Sequence, residues 1–132
     1  MSELLLDTCA LIWTGLGIPI SSAALREIAT RQLHVSPISA LEIGILVRRN
    51  RLMVNGPAKL WFATLSHRLN AKLPALTTDL LIASTELPGD PPNDPFDRII
   101  IATAAAQGLR IVTRDRLILD YARQHGVASI AC

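Results

Sequence analysis

Two cysteines, Cys9 and Cys132, are too few and too far apart for a disulfide framework, and neither belongs to a Cys-x-x-Cys pair. A reducing cytoplasm is the expected compartment. No apolar run approaches the ~18 residues that a membrane-spanning helix needs. Met1 to Trp13 lacks a basic opening stretch and breaks its apolar run at Asp7, so neither a signal peptide nor a membrane anchor is expected. There is no Gly-rich dinucleotide fingerprint and no phosphate-cradling loop with its lysine, which removes the nucleotide-cofactor and NTPase classes at their first requirement. His34, His67 and His125 share no ligand spacing, which argues against a zinc site. Internal repeats and low-complexity blocks are also missing. Thirteen Lys plus Arg against eleven Asp plus Glu leave a net charge of only +2, too small a bias to announce a nucleic-acid partner by itself.

What remains is an ordinary globular chain. Its 132 residues, half of them apolar and 18% charged, suit one domain spanning residues 1–132. Leu4 to Leu6 is a short apolar run that stops at Asp7-Thr8, the pattern of a buried parallel strand that meets a helix start. Ser21 and Ser22 can cap a helix with Leu25, Ile28, Ala29 and Leu33 on helical spacing, and His34 to Ser36 is a second strand. Ser39 to Glu42 opens a further helix that ends in the cluster Arg48, Arg49 and Arg51, and Lys59 to Asn70 is another. Leu73 to Leu76 is a candidate third strand, and Thr78 to Leu87 a helix stopped by Pro88. Pro88 to Pro95 forms a loop, Asp94 opens a helix running to Gln107, and Gly108 ends it. Leu109 to Val112 is a fourth strand, Arg116 to Gln124 the last helix and Val127 to Ile130 the last strand. Alternating strands and helices predict an α/β fold, a three-layer α/β/α sandwich around a parallel sheet of about five strands. Ligands gather at the carboxyl ends of such strands.

Four acids fall where that edge would be. Asp7 and Asp115 each follow an apolar strand, and Glu42 and Asp97 lie in the first turns of their helices. Carboxylates brought together repel one another and raise their own pKa values unless a cation sits among them. Mg²⁺ or Mn²⁺ is the natural occupant, because hard ions prefer oxygen ligands and can promote attack of water on a phosphodiester. Asp7 and Asp97 are the first choice as direct ligands, with Glu42 and Asp115 as further ligands or as groups that orient water. Each acid also has a local explanation. Ser39-x-x-Glu42 has the form of a capping box, Asp94-Pro95-Phe96-Asp97 that of a cap followed by a first-turn acid, and Asp7 and Asp115 can cap the helices they precede.

In these residues the sequence resembles the PIN-domain ribonucleases, specifically the VapC-type toxins of prokaryotic toxin–antitoxin pairs. The likeness runs through Leu4-Leu5-Leu6-Asp7-Thr8, Ser39-Ala-Leu-Glu42-Ile43, Asp94-Pro95-Phe96-Asp97-Arg98 with Ile101-Ala102-Thr103-Ala104, and Val112-Thr113-Arg114-Asp115. The resemblance places the family's four acids on Asp7, Glu42, Asp97 and Asp115. It implies a PIN-like fold and a Mg²⁺- or Mn²⁺-dependent endoribonuclease that leaves a 5′-phosphate and a 3′-hydroxyl. It also implies a homodimer inhibited by a cognate antitoxin, which commonly carries a DNA-binding domain. Two alternatives stay open at this point: a non-catalytic PIN-like regulatory or binding domain, and a DNA-directed nuclease. A phospho-acceptor signalling module would need a lysine near the last strand, and the two lysines, Lys59 and Lys72, lie mid-chain.

Supporting roles remain for several residues. Thr8 and Thr113 can hydrogen-bond the acids or cap helices, and Arg98 can touch substrate phosphate or anchor the Asp97 loop through a salt bridge. Trp13, Trp61 and Phe62 are expected in the core or at a dimer contact rather than in a base-binding groove. Arg48, Arg49 and Arg51 suit either RNA backbone or a solvated helix end. Cys9 is expected to be a small buried residue of the first helix. Setting the four site acids aside leaves seven acids against thirteen bases, eleven of them Arg, so the small net charge conceals an acidic centre in a basic surround.

Overall fold

The computed structural model describes residues 2–132. Its elements are β1 (Leu4–Leu6), α1 (Thr8–Leu16), α2 (Ser22–Thr30), β2 (Leu33–Val35), α3 (Pro37–Arg48), α4 (Ala58–Arg68), α5 (Thr78–Thr85), α6 (Pro95–Gln107), β3 (Arg110–Thr113), α7 (Arg116–Gln124) and β4 (Ser129–Ala131). The strands pair in the order β2-β1-β3-β4, all parallel, with Leu6 opposite Val35 on one side and Val112 on the other. Helices cover both faces. Leu4 and Leu6 join a core with Leu11, Val35, Phe62 and Leu65, while Leu5 joins a second with Ile100, Ile101, Ile111 and Ile118. Burial on both faces is why β1 is a continuous run of leucines, and each fully buried leucine contributes about 1.5–3 kcal/mol. Among the described residues no helix is long and apolar enough to cross a membrane.

The sheet has four strands where about five were expected. Lys72 does begin to pair with β2: its N–H donates to the Leu33 carbonyl and its carbonyl accepts from Val35, both at 2.9 Å. The next donor on that ladder belongs to residue 74, which is a proline, so Leu73 to Leu76 stops at an isolated bridge. A second difference lies at α3. Ser36 is its N-cap, accepting from the Ile38 N–H at 3.1 Å, and Pro37 is its first residue. Ser39 is therefore inside the helix, no Ser39–Glu42 capping box forms, and Glu42 belongs to the second turn rather than the first.

The chain leaves β1 toward β2 and later returns to β3 on the opposite side of β1. That reversal opens a crevice at the carboxyl ends of β1 and β3, where the main-chain N–H of Asp7 donates to the Val112 carbonyl at 3.1 Å. The proline-rich loop beside it is pinned from two helices. The Tyr121 hydroxyl donates to the Pro88 carbonyl and Arg98 Nε to the Pro92 carbonyl, each at 2.5 Å. Arg98 thus anchors the loop through a carbonyl and not through the expected salt bridge.

Trp61 packs against the core and Phe62 lies within it, in α4, which crosses α1 at Gly15. A Cβ on Gly15 would lie 2.6 Å from Leu65 Cδ2 and 2.9 Å from Trp61 Cζ2, whereas one on Gly44 of α3 would meet nothing within 4 Å. Gly15→Val is expected to lower stability by about 1–3 kcal/mol through overpacking. Gly44→Ala is expected to raise it by about 0.5–1 kcal/mol, since alanine restricts the unfolded chain and favours helix. Urea unfolding followed by circular dichroism distinguishes the two signs.

Candidate active site

A pocket of about 280 Å³ opens at the crevice, lined by Asp7, Thr8, Cys9, Trp13, Glu42, Asp97, Ile100, Arg114 and Asp115. All four predicted acids are therefore in its wall. Asp7 follows β1, Asp115 follows β3, Glu42 enters from α3 and Asp97 from the first turn of α6.

The capping explanations hold for some of these acids without displacing them from the pocket. Asp7 Oδ1 accepts the Ala10 N–H at 2.8 Å as N-cap of α1, while its Oδ2 accepts the Thr113 hydroxyl at 2.5 Å. Asp115 Oδ1 caps α7 by accepting from Leu117 at 2.8 Å. At α6 the cap is Asp94, which accepts from Phe96 at 2.8 Å, so the Asp97 carboxylate is released from that duty. Glu42 is held from another helix, with Oε1 accepting the Thr8 hydroxyl at 2.5 Å. Thr8 in turn bonds Ser39 Oγ at 2.9 Å.

Burial and mutual repulsion perturb these groups. Burial raises the pKa of Asp7, opposed by the hydrogen bonds from Thr113 and Ala10, with Asp115 raising it a little further. Glu42 is also raised, first by burial, with the Thr8 hydrogen bond working against it. Asp97 has no such bond to restrain it, and burial followed by the charges of Asp94, Asp115, Glu42 and Asp7 pushes it up to about 7. None of the four acids in the pocket forms an ion pair with a basic side chain among the described residues. Hard oxygen donors that lack a counter-cation suit a divalent ion such as Mg²⁺. Among the described residues no three of them close into a ready-made cage.

Cys9 departs from expectation, being exposed at the pocket wall rather than buried. Partial burial of its sulphur, then the charges of Asp7, Glu42, Asp97 and Asp115, push the thiol up to about 11, so it stays protonated near neutral pH and is a poor nucleophile. The three histidines lie apart from the pocket lining, on or beside β2, α4 and α7. Arg48 and Arg49 line a separate shallow groove on α3 with Leu41 and Ile45. Sequence reasoning missed Arg114 and Ser39. Arg114 lines the pocket with its guanidinium carbon 4.1 Å from the centroid of the Trp13 ring, a cation–π contact. Its position inside Thr113-Arg114-Asp115 is the signal that could have found it.

Comparison with known proteins gives concordant results. A sequence profile described as the PIN domain matches residues 4–126. Ribonuclease VapC22 of Mycobacterium tuberculosis is 32% identical over 123 residues, covering 92% of this chain and 93% of that protein. DNA-bound VapBC from Salmonella typhimurium superposes with a TM-score of 0.68 at 19% identity, covering 99% of this chain and 98% of that one. A toxin–antitoxin complex from Klebsiella pneumoniae does so with a TM-score of 0.58 at 22% identity, covering 86% and 87%. At those identities the two structures show a shared fold.

The Asp97 carboxyl titrates near 7 in the folded chain and near 3.9, the usual aspartate value, once unfolded. Between those values the folded state holds a proton that the unfolded state has lost. Stability of the metal-free protein therefore falls as pH rises from about 4 to about 7. Asp97→Asn removes this cost. The variant is expected to melt above the parent at pH 8 without divalent cation, with the margin closing toward pH 4. Thermal melts across that range check it, and equal melting temperatures at pH 8 would refute the assignment.

Proposed function

The chain belongs to the PIN-domain family, and on that premise we propose that it is a divalent-metal-dependent endoribonuclease, the toxin component of a toxin–antitoxin pair. The observation that carries the reading is the convergence of Asp7, Glu42, Asp97 and Asp115 on one pocket with no basic partner of their own among the described residues. Similarity to a protein named as a ribonuclease supports the activity, and similarity in fold to a toxin–antitoxin complex supports the partner. The family resemblance in the sequence motifs extends the proposal to a homodimer. Exposed Leu41 on α3 and Ile82 on α5 offer apolar surface for a protein partner.

Asp7 and Asp97 are the proposed direct ligands of Mg²⁺ or Mn²⁺, and Glu42 and Asp115 further ligands or groups that orient water. The bound ion would neutralise charge on the scissile phosphate and lower the pKa of the attacking water. Water attacks phosphorus and the bond to the 3′ oxygen breaks, leaving a 5′-phosphate on one product and a 3′-hydroxyl on the other. The chain's own contribution is to hold the donors in place. Thr113 fixes Asp7 from β3 while its oxygen accepts the Asp115 N–H at 3.0 Å, so one hydroxyl registers two acids. Thr8 does the same for Glu42, bracing α1 against α3. Asp97 remains free to approach an ion.

Purified protein free of antitoxin is expected to cleave single-stranded RNA only when Mg²⁺ or Mn²⁺ is present. Asp7→Asn or Asp97→Asn should lower the rate by about a hundredfold or more, because each removes a charge that holds the ion. Asp120→Asn, whose carboxylate pairs with Arg123 outside the pocket, should leave it unchanged. Full activity in either site variant would sink the mechanism, and isothermal titration showing no Mg²⁺ or Mn²⁺ binding would favour a non-catalytic domain. Growth arrest on expression, relieved by an antitoxin encoded beside the gene, tests the toxin role separately.

Thr113→Val keeps the shape but removes the hydrogen bond to Asp7. It is expected to weaken metal affinity about 10–100-fold while the protein remains folded, as loss of an outer-shell partner does at other metal sites. Calorimetric titration of Mn²⁺ measures this directly, and unaltered affinity would show that Thr113 does not orient Asp7.

A further inference from the structure

Among the described residues the carboxylate pocket has one basic side chain in its wall, and none of the carboxylates uses it. Arg114 is instead tied to the main chain. Its Nη2 donates to the Cys132 carbonyl at 3.0 Å and the Pro19 carbonyl at 3.3 Å. The indole of Trp13, also in the pocket wall, packs against the guanidinium at 4.1 Å from its centroid. A guanidinium carries five N–H donors, and those on Nε and Nη1 have no protein partner among the described residues. The group is thus held in a fixed place beside four acids with most of its hydrogen-bonding capacity unspent.

The hydrogen bonds to Pro19 and Cys132 give Arg114 a structural role through one terminal nitrogen, and no neighbouring carboxylate neutralises its charge. The carbonyl tethers keep the charge out of the acid cluster and leave it available to an anion arriving from outside. Such an anion faces a difficulty that this placement answers, since a pocket of carboxylates repels a polyanionic strand. The planar fork of arginine matches phosphate oxygens in a way a lysine ammonium does not.

We propose that Arg114, supported on Trp13, binds a backbone phosphate of the RNA strand next to the scissile one and so holds the substrate at the pocket. The proposal rests on the ribonuclease reading above and adds a substrate-binding residue to it.

Steady-state cleavage of a labelled single-stranded RNA in Mg²⁺, measured over a range of salt, tests it. Arg114→Gln is expected to raise KM about tenfold while kcat stays within about threefold, as loss of a charge-assisted phosphate contact predicts. The slope of log affinity against log salt, read by fluorescence anisotropy, should become shallower by about 0.7, the value for one phosphate contact on a single strand. Arg114→Lys should restore the slope but leave KM about threefold raised, because it keeps the charge and loses the fork. An unchanged KM with an unchanged salt slope in Arg114→Gln overturns the proposal, as does a fall in kcat at constant KM. Loss of antitoxin binding with RNA binding intact also overturns it, by assigning the residue to a protein partner. Should Arg114→Gln fail to fold, Arg114→Lys decides alone: a raised KM supports the proposal and an unaltered one overturns it. A parent protein that neither binds nor cleaves RNA removes the ribonuclease reading itself, and the proposal with it. A parent that cleaves normally beside an indifferent Arg114→Gln removes only the proposal.

Discussion

Asp7 is a carboxylate kept only 6% exposed at the end of a strand of three fully buried leucines, and the cost of keeping it there organises the surrounding structure. A buried charge without partners would simply neutralise itself. Here the N-terminus of α1 supplies an N–H, β3 supplies the Thr113 hydroxyl, and the β1–β3 pairing brings the second of these into reach. The same pairing continues one residue beyond β1, where the Asp7 N–H bonds the Val112 carbonyl. The position of Asp7 is therefore part of the register of the central strands. Displacing β3 by one residue would turn Thr113 to the opposite face and leave Asp7 without its hydroxyl.

The other acids are held with decreasing restraint. Asp115 accepts the N–H groups of Leu117 and Ile118 in capping α7, Glu42 has one hydroxyl from Thr8, and Asp97 has no hydrogen bond to its carboxylate among the described residues. That gradient explains why Asp97 titrates near neutrality, since burial and like charges act on it unopposed. It also separates two kinds of acid: one built into the scaffold, and one left free to respond to what enters the pocket.

Much of this was legible in the sequence because each local signal has a single physical cause. Leu4 to Leu6 ending at Asp7-Thr8 marked a buried strand and a helix start, and Asp94-Pro95 with Gly108 bounded α6 at both ends. Asp7 and Asp115 could be grouped because strand ends share one edge of a parallel sheet. Glu42 sits in the second turn of α3, and α6 follows a loop and not a strand, so the place of Glu42 and Asp97 at that edge depends on the tertiary fold. The errors came where two signals competed. Ser39-x-x-Glu42 imitates a capping box, yet Ser36-Pro37 three residues earlier is the stronger start, since proline there gives up no hydrogen bond. Leu73 to Leu76 is apolar enough for a strand, but its proline falls where the ladder needs a donor. Arg114 was passed over, and Cys9 was expected to be buried, because their settings are tertiary: one depends on Trp13 and two distant carbonyls, the other on which side of α1 faces the acids.

The proline that cuts short the fifth strand has a consequence for behaviour in concentrated solution. Strand β2 stands at the border of the sheet, and a bare border is a template on which another chain can add itself. Lys72 occupies that template with a single bridge, and Pro74 then offers the next neighbour neither a donor nor a continuous ribbon to copy. The fold thus ends its sheet on this side with a border that gives another strand little to pair with.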